Sequence, residues 1–499
     1  MGIRVSKQHL LWQFPAAVLV VAAAVVMILL WMTSPPSVYR LWSGTVHIRT
    51  HVLVPEGTIL KIERGATLVF GRKGDLELRG GIECVGDPAK PVNVVAVADS
   101  ADPNSNPGNV LTFGSPARLE NWHFSGGTRR GAFVCACADM EIADCSFADV
   151  ATDFAFCAYT RQQGRLAELK FTNSEFSFSE GRKGGAALSL YSGEFPLAVE
   201  VTGCRFVTKN KGSVVFWVKS MDHSFHEPCP GSVLKFVGNS VSGYEALGYA
   251  ISESQEIVGN KIEAIVRDVR GSMGFLTGDK IRFSNNAIAI GSGSGASTRD
   301  AAAYTLTLDG KETIVENDSI LNKSDREVEM QLHASQVRWC RLESLCLVFQ
   351  GKNTVEDCIM DKVSRMDCGP VHYEDEIKVP LLAAQTSLSI TRCAMSGNAL
   401  TVRVPNTAIK SCSLGELKNL RCTWPYEGNQ VAFDGCFLPA LQAVTDTGCP
   451  ASFFGCISDG GLQRPGLRTA SPEDALGFLE IERRIMLHFE IARKEGERR

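Results

Sequence analysis

The densest group of residues that could do chemistry is Asp222, His223, His226 and Glu227. Carboxylates and imidazoles act as general acids and bases, so all four are candidate catalytic residues. Asp222 and His226 are also candidate metal ligands, because their oxygen and nitrogen atoms suit divalent metals. The alternative is a solvated loop inserted between two regular segments, in which these polar side chains have no chemical role.

Two further polar groups are weaker candidates. Residues 372–376 read His-Tyr-Glu-Asp-Glu, and Asp149 and Asp153 are close enough in sequence to form a carboxylate pair. A polar insertion and a turn containing Asp are the simpler explanations. Asn317 and Asn322 each begin an Asn-x-Ser sequon, which accepts a glycan only in a eukaryotic secretory pathway.

The 17 cysteines all lie beyond residue 80. They contain no Cys-x-x-Cys pair and no Cys/His group with the spacing of a zinc site, so the sequence implies neither a cysteine metal site nor a cofactor. Cys135 and Cys137 alternate with Ala136, which places both on one face of a strand. Disulfides are the usual expectation outside the cytoplasm, but the regular placement of the other cysteines indicates a packing role.

Many of these cysteines belong to an internal repeat. Its core is an apolar residue, a Cys or Asn three positions later, and another apolar residue two positions beyond, as in Val355, Cys358 and Met360. One copy is too short to bury its apolar face, so neighbouring copies must stack. The middle residues are predicted to form one inward row at a bend between strands. This row, called the ladder, comprises Cys145, Cys204, Asn239, Asn260, Asn286, Cys340, Cys358, Cys393, Cys412, Cys436 and Cys456.

Looser copies of the repeat add Trp122, Ser174 and Asn317 to the same row. The spacing between copies is irregular, which excludes helical repeats of fixed period and indicates coils whose extra residues form loops. The local alternation of Val, Ile, Phe and Thr with polar residues is typical of strands. We expect stacked Asn side chains to bond to one another, and Cys to fill the row as a small apolar residue.

Residues 54–70 read VPEGTILKIERGATLVF, which contains two short apolar strands, each closed by a glycine turn. Together with the repeat, this segment resembles the opening coils of the pectate-lyase-like proteins. The resemblance covers roughly residues 43–465. It implies an all-β fold, a right-handed parallel β-helix built as a solenoid.

The resemblance also implies which motifs an enzyme of this family would carry. The Asn-Thr-Asp, Asp-Asp, Gly-His-Gly and Arg-x-Lys motifs of polygalacturonase-like members do not occur here. Of the Trp-x-Asp-His segment of pectate-lyase-like members, only Asp222 and His223 are matched, because Trp217 lies too far upstream. The missing motifs favour a protein without catalytic activity.

The N-terminal segment contains an uncharged apolar run from Phe14 to Met32. A helix of that length is roughly 28 Å long, close to the hydrocarbon thickness of a bilayer. Arg4 and Lys7 precede the run, so we expect a cytoplasmic N-terminus and an extracytoplasmic remainder. A cleaved signal peptide is the alternative, but the run exceeds the usual apolar region and no Ala-x-Ala site follows.

The C-terminal segment predicts an amphipathic helix. Ser471 suits the N-cap, Pro472 suits the first helical position, and apolar residues follow at helical spacing. We expect this helix to cover the open end of the β-helix, with a membrane-surface or partner helix as the alternative. The chain thus divides into a cytoplasmic N-terminus (1–12), a transmembrane signal anchor (13–33), a linker (34–42), a parallel β-helix (43–465) and a C-terminal helix and tail (466–499).

Charge limits the partners. The chain has 51 basic and 55 acidic residues, a net charge of -4, and no basic stripe, so nucleic acid is excluded as a partner. We predict a membrane-anchored, extracytoplasmic scaffold or adhesin-like protein that binds glycans or envelope proteins. The alternative is a membrane-tethered polysaccharide lyase or glycoside hydrolase. The link to glycans follows from the resemblance alone, since a fold does not determine a function.

The anchor can be tested by N-terminal sequencing of the mature protein after membrane fractionation. Retention of residues 13–33 as a transmembrane helix predicts a membrane-bound protein whose sequence starts near Met1 or Gly2. A soluble mature protein that starts after residue 30 would contradict the anchor and favour a cleaved signal peptide.

Overall fold

The computed structural model describes most of the chain beyond residue 36. The predicted anchor, residues 13–33, lies outside the described residues. Among those residues, no helix combines the length and apolar character needed to cross a membrane. The described residues are 37–84, 86–97, 109–127, 131–150, 152–159, 167–178, 185–193, 195–208, 213–220, 227–266, 272–293, 304–368, 385–423, 430–447, 449–458, 462, 464–469 and 471–496.

The described strands form long parallel sheets. A 27-stranded sheet and a 14-stranded sheet run the length of the molecule, with a 3-stranded sheet at the N-terminal end and a 2-stranded sheet at the C-terminal end. Each coil contributes one strand to a side face, one to a back face and one to a front face, and pairs in register with the coils before and after it. This all-β arrangement of parallel strands fits a parallel β-helix.

The back face is the 14-stranded sheet. Its strands are β2 (Thr45–Ile48), β5 (Thr67–Phe70), β8 (Val92–Ala96), β11 (Trp122–Gly126), β14 (Ser146–Val150), β17 (Glu175–Phe178), β20 (Arg205–Val207), β23 (Ser240–Ser242), β26 (Lys261–Val266), β28 (Ala287–Ser292), β30 (Ser319–Asn322), β32 (Arg341–Glu343), β35 (Ile359–Asp361) and β38 (Ala394–Met395).

The front face belongs to the 27-stranded sheet. Its strands are β3 (His51–Val54), β6 (Asp75–Leu78), β9 (Leu111–Phe113), β12 (Ala132–Ala136), β15 (Phe154–Tyr159), β18 (Gly185–Gly193), β21 (Ser213–Ser220), β24 (Ala246–Ile251), β27 (Ser272–Ser284), β29 (Tyr304–Glu316), β31 (Val328–Arg338), β33 (Cys346–Gln350), β36 (Arg365–Cys368), β39 (Ala399–Arg403), β41 (Asn419–Thr423) and β43 (Ala443–Thr447).

The side face joins the same sheet because β27, β29 and β31 continue from the front face into it. Its other strands are β10 (Ala117–Glu120), β13 (Met140–Ala143), β16 (Glu168–Thr172), β19 (Ala198–Thr202), β22 (Val233–Val237), β25 (Ser254–Val258), β34 (Lys352–Glu356), β37 (Ser387–Thr391), β40 (Thr407–Lys410), β42 (Val431–Asp434) and β44 (Ala451–Phe454). The small end sheets contain β1 (Ser37–Trp42), β4 (Thr58–Ile62) and β7 (Gly81–Glu83), and β45 (Cys456–Ile457) with β46 (Leu467–Arg468).

The core is a set of stacked columns of apolar side chains. On the back face, the rings of Phe124, Phe147, Phe176 and Phe206 lie one above another, with centroid separations of 4.4, 4.9 and 5.0 Å. Those separations match the spacing of about 4.8 Å between paired strands. In-register parallel pairing therefore places equivalent residues of successive coils in contact, so one apolar position per coil builds a continuous core.

A left-handed residue marks the corner between the side and back faces. Asp144, Asn285 and Ser411 have φ angles of 51°, 58° and 49°, and Gly203 and Gly238 occupy the same corner with φ angles of 65° and 64°. Gly, Asn and Asp adopt this region at the least cost. In each of these coils the next residue is the one that points into the core at the bend.

The Asn residues of the ladder bond from coil to coil. The Asn260 amide oxygen accepts the backbone N–H of Asn239 at 2.8 Å, and its Nδ2 donates to the Phe236 carbonyl at 2.8 Å. Asn286 repeats both bonds one coil later, to the N–H of Asn260 at 3.0 Å and to the Ile257 carbonyl at 2.8 Å. Each side chain thus satisfies a backbone donor and a backbone acceptor that the bend leaves buried.

The Cys residues of the ladder use weaker versions of the same bonds. The Cys358 sulfur accepts the N–H of Cys340 at 3.4 Å, and its thiol lies 3.8 Å from the Val337 carbonyl, the equivalent acceptor in the preceding coil. All eight ladder cysteines are thiols rather than disulfides. Burial raises the pKa of Cys145 and of Cys204 to about 12. These thiols therefore stay protonated and are poor nucleophiles.

The structure corrects one position of the ladder. The sequence repeat placed Asn317 in the row, but Asn317 is the left-handed corner residue, with a φ angle of 58°, and the buried Asp318 follows it. Asp318 Oδ1 accepts the N–H of Asn286 at 2.7 Å and its Nδ2 at 3.0 Å. The repeat slipped by one residue because Asn suits the corner as well as the ladder.

Asp318 places a carboxyl group where the neighbouring coils have the side-chain amide of an Asn. Its Oδ2 is buried without a hydrogen-bond partner. In the neighbouring Asn side chains, Nδ2 takes this position and donates to a carbonyl. Burial raises the pKa of Asp318 well above its usual range, against the opposing effect of the Asn286 donors. A proton on Oδ2 would donate to the Phe283 carbonyl, the equivalent acceptor in this coil.

Helix α1 spans Pro472–Gly496. It lies along the corner between the side and back faces, because Phe478 stacks on Phe437 at 5.2 Å and His488 stacks on Trp339 at 4.1 Å, several coils away. Arg484 pairs with the buried Asp357 of an intervening coil. The expected end cap does not match these contacts, since the helix runs along the solenoid instead of across its last coil.

Replacing Asp318 with Asn should stabilise the protein at neutral pH. A folded pKa raised above the unfolded value means that stability falls as pH rises from about 4 through the folded pKa. The always-neutral amide removes that loss and supplies the missing donor, worth about 1–3 kcal/mol. Thermal unfolding at pH 4 and pH 8 should show a larger gain at pH 8. An equal gain at both values would contradict this assignment.

Replacing Cys358 with Asp should destabilise the protein by several kcal/mol at neutral pH, because it adds a buried carboxylate to the row. Cys358→Ser should cost far less, since a hydroxyl can donate and accept in the same geometry. Denaturant unfolding of the two variants at pH 7 provides the comparison. If Cys358→Asp unfolds at the same denaturant concentration as Cys358→Ser, position 358 does not face inward.

Candidate functional site

Most of the predicted cluster lies outside the described residues. Asp222, His223 and His226 fall in residues 221–226, which follow β21 directly, and Glu227 is exposed. The catalytic and metal roles of these four residues therefore stay predictions. Within the described part of the chain, no three His, Cys, Asp or Glu side chains are grouped so that they could hold a metal ion.

Of the weaker candidates, residues 372–376 lie outside the described residues, whereas Asp149 and Asp153 are described. Asp149 has a φ angle of 51°, and the Asp153 carboxylate accepts the backbone N–H of Gly131 at 3.1 Å. Asp153 thus forms a hydrogen bond to the neighbouring coil, as expected for an Asp in a turn.

A row of outward aromatic side chains lies on the front face. Trp217, Tyr249 and Phe275 are register partners on β21, β24 and β27. The rings of Tyr249 and Phe275 stack 5.0 Å apart at 7°. Two positions further along β15 and β18, Tyr159 and Tyr191 stack 5.5 Å apart. These five residues are called the aromatic row.

The aromatic row is partly exposed, with Tyr191, Tyr249 and Phe275 half-buried. Tyr159 and Trp217 keep 43% and 39% of their surface exposed. Trp217 is held edge-on by Phe154, with centroids 5.8 Å apart, and Lys219 lies 5.1 Å from the ring centre of Tyr249. Large exposed aromatic side chains grouped on one face are typical of binding sites. The in-register strands hold their rings in fixed positions.

Polar residues continue the same columns beyond the aromatic row. Phe275 pairs in register with Thr307, and Thr307 pairs with Gln331. The Thr307 hydroxyl donates to Gln331 Oε1 at 3.1 Å. In the adjacent column, His333 Nδ1 lies 2.8 Å from Asp309 Oδ1. The aromatic row therefore ends beside an imidazole–carboxylate pair.

His333 is the described residue best placed for proton transfer at this face. A carboxylate at one ring nitrogen orients the imidazole and leaves Nε2 to accept or donate a proton. Its side chain is 32% exposed, and that of Asp309 is 18% exposed. The pair lies at the end of a surface on which a ligand could rest.

The carboxylates next to this pair form ion pairs with one arginine. Arg365 contacts Glu327 at 2.6 Å, Glu329 at 2.7 Å and Asp367 at 2.7 Å. Burial raises the pKa of Asp367 despite the opposing charges of Arg365 and Arg403. Glycoside hydrolysis needs one free carboxylic acid and one free carboxylate across the bond, and these three groups are committed to an ion cluster.

The aromatic row was missed because the search of the sequence followed titratable groups. Its signal is nevertheless present, since each strand alternates an outward aromatic or polar residue with a buried one, as in Trp217, Val218 and Lys219. Recognising the row needs the coil-to-coil register, which irregular loop lengths hide. Comparison with protein families, curated proteins and solved structures finds no match to this chain.

Neighbouring residues of β21 should respond very differently to truncation. Phe216 is fully buried and Trp217 is outward and partly exposed. Phe216→Ala should cost about 3–5 kcal/mol of folding free energy through the cavity it leaves, and Trp217→Ala less than about 1 kcal/mol. Denaturant unfolding measures both. Equal losses would mean that Trp217 is a core residue and not part of a binding surface.

Proposed function

We propose that the described part of the chain is a right-handed parallel β-helix of the pectate-lyase-like type. The buried Asn ladder and the left-handed residue before each ladder position support this assignment. Under this proposal, residues 13–33 anchor the protein in the cell membrane, with the N-terminus in the cytoplasm and the β-helix outside.

We further propose that the front face binds a polysaccharide without cleaving it, so that the protein acts as an envelope scaffold or adhesin. The observation that carries this proposal is the aromatic row. Aromatic rings offer flat apolar surfaces on which the C–H face of a sugar can pack, while the ring edges leave its hydroxyls in water. Successive rings about one strand spacing apart suit an extended polymer that contacts several coils.

Lys219, the register partner of Tyr191, can donate to the hydroxyls of the same ligand. Thr307 and Gln331 continue the column of Phe275 but are buried and bond to each other. Apolar surface with a few placed polar groups is the usual composition of a ligand site. At the far end of these columns, Arg365 and its carboxylates form ion pairs with one another.

Binding can be tested by affinity electrophoresis against neutral and anionic polysaccharides. A Trp217→Ala, Tyr249→Ala double variant should bind at least tenfold more weakly, since each ring contributes about 1 kcal/mol. Phe454→Ala is the matched control, because Phe454 is 58% exposed but lies on the side face. Equal retardation of the double variant and the wild type would contradict the proposed site.

A polysaccharide lyase or hydrolase is the second candidate, and the contact between His333 and Asp309 favours it. An oriented imidazole at the end of a sugar-binding surface could remove a proton from a bound polymer. The assay is release of new chain ends from any polysaccharide that binds. If the His333→Gln variant binds the polysaccharide as the wild type does but no longer releases chain ends, the protein is an enzyme. If the wild type releases no chain ends, the result favours the scaffold.

A further inference from the structure

Two cysteines outside the ladder are register partners on the front face. Cys135 of β12 pairs with Cys157 of β15, which belongs to the next coil. On both strands, the residues immediately before and after the cysteine belong to the hydrophobic core, whereas the cysteine does not. Because successive residues of a strand point to opposite faces of the sheet, both thiols point outward. The same column continues through Ser189 to Trp217 of the aromatic row.

Exposure separates this pair from the ladder thiols. Cys157 is half-buried and Cys135 is 5% exposed, whereas the ladder thiols face the core and are at most 2% exposed. Thiol–disulfide exchange begins when an accessible thiolate attacks a disulfide. A small reactant can reach Cys157 from the solvent, and Cys135 then needs to meet only the Cys157 sulfur. The buried ladder thiols have no such access.

The spacing of the two strands allows a bond between the two sulfurs. Paired strands hold register partners about 4.8 Å apart, within the range of roughly 4.4–6.8 Å that the Cα atoms of a disulfide span. The two side chains leave parallel strands in the same direction, so their Cβ atoms are also about 4.8 Å apart. A disulfide needs roughly 3.8 Å between Cβ atoms, so closing the bond draws β12 and β15 together. A bond that holds strain of this kind is easily reduced again.

Cys137 is the other cysteine close to this pair in sequence, and it does not fit the same bond. It follows β12 directly, two positions beyond Cys135. Two residue steps and one strand spacing separate its Cα from that of Cys157 by roughly 8 Å. A disulfide does not span more than roughly 7 Å between Cα atoms without movement of the backbone. Cys137 is therefore a matched control for Cys135.

We propose that Cys135 and Cys157 are a redox-active pair that forms a reversible disulfide between the two coils. The reactant is the disulfide of a small thiol such as glutathione. The Cys157 thiolate attacks one sulfur of this disulfide, forms a mixed disulfide and releases the first small thiol. The Cys135 thiolate then attacks the Cys157 sulfur, which closes the bridge and releases the second small thiol. The two cysteines lose two electrons and two protons, and the reactant gains them.

The bridge acts on the coil where the aromatic row begins. β15 carries Tyr159, which stacks on Tyr191, and Phe154, which contacts the edge of Trp217. Oxidation therefore ties this strand to the preceding coil, and reduction releases it. The inference goes beyond the proposed function and does not depend on it, so its test uses no polysaccharide.

Peptide mapping of the folded full chain, in detergent where it needs detergent, tests the proposal. The protein is equilibrated with mixtures of oxidised and reduced glutathione, and its remaining thiols are alkylated. Trypsin together with a protease that cleaves before Asp separates residues 131–138 from residues 153–161. In the oxidising mixtures these two peptides should stay joined in at least half of the protein. Excess reduced glutathione should separate them again.

Three single variants identify the sulfurs. Cys135→Ser and Cys157→Ser should each abolish the joined peptide, whereas Cys137→Ser should retain it, because residues 131–138 then contain Cys135 alone. Thermal unfolding checks that each variant is folded, and the wild type with Cys137→Ser decides the result even where the other two fail to fold. Peptides that never join in the wild type would overturn the proposal. A bond that is lost in Cys137→Ser, or that survives in Cys135→Ser, would also overturn it.

Discussion

The structure depends on satisfying the backbone at one buried corner of every coil. Where the chain turns from the side face to the back face, the N–H of the ladder residue and the carbonyl three residues before it are buried. The ladder side chain of the next coil meets both, as Asn260 does for the N–H of Asn239 and the carbonyl of Phe236. An unmet group of this kind costs about 1–3 kcal/mol. The repeat therefore needs a short side chain that can accept and donate at every bend, and Asn, Cys, Ser and a protonated Asp all qualify.

This constraint explains how much of the fold could be predicted. The ladder position is readable because its chemistry restricts it to a few residue types, and because apolar positions three before and two after it must also be buried. The same restriction caused the slip at Asn317 and Asp318. Asn317 suits the ladder by side-chain type, but the residue two positions after it is the polar Ser319. Asp318 meets the full rule, because Val315 three positions before it and Ile320 two positions after it are both buried. Asn317 occupies the corner instead, with a left-handed φ angle.

The site and the helix position were harder to predict for different reasons. The aromatic row becomes visible only after coils are aligned, since Trp217, Tyr249 and Phe275 are distant in sequence and neighbours in space. The start of α1 follows from Ser471 and Pro472, which fix a helix locally. Its docking place depends on single contacts such as Arg484 with Asp357, for which local sequence carries no signal.

The change of ladder chemistry along the rod bears on the proposed binding face. Tyr249 and Phe275 lie on coils whose corners are closed by Asn239 and Asn260, with bonds of 2.8–3.1 Å. His333 lies on the coil of Asp318. Beyond it the row changes to Cys, and N–H to sulfur distances lengthen to 3.4 Å. A binding surface gains affinity when its side chains are already held in place, because less freedom is lost on binding. The Asn bonds thus support the coils of Tyr249 and Phe275, whereas Tyr159, Tyr191 and Trp217 lie on the coils of Cys145, Ser174 and Cys204. The later thiol segment underlies the corner on which α1 supplies additional contacts.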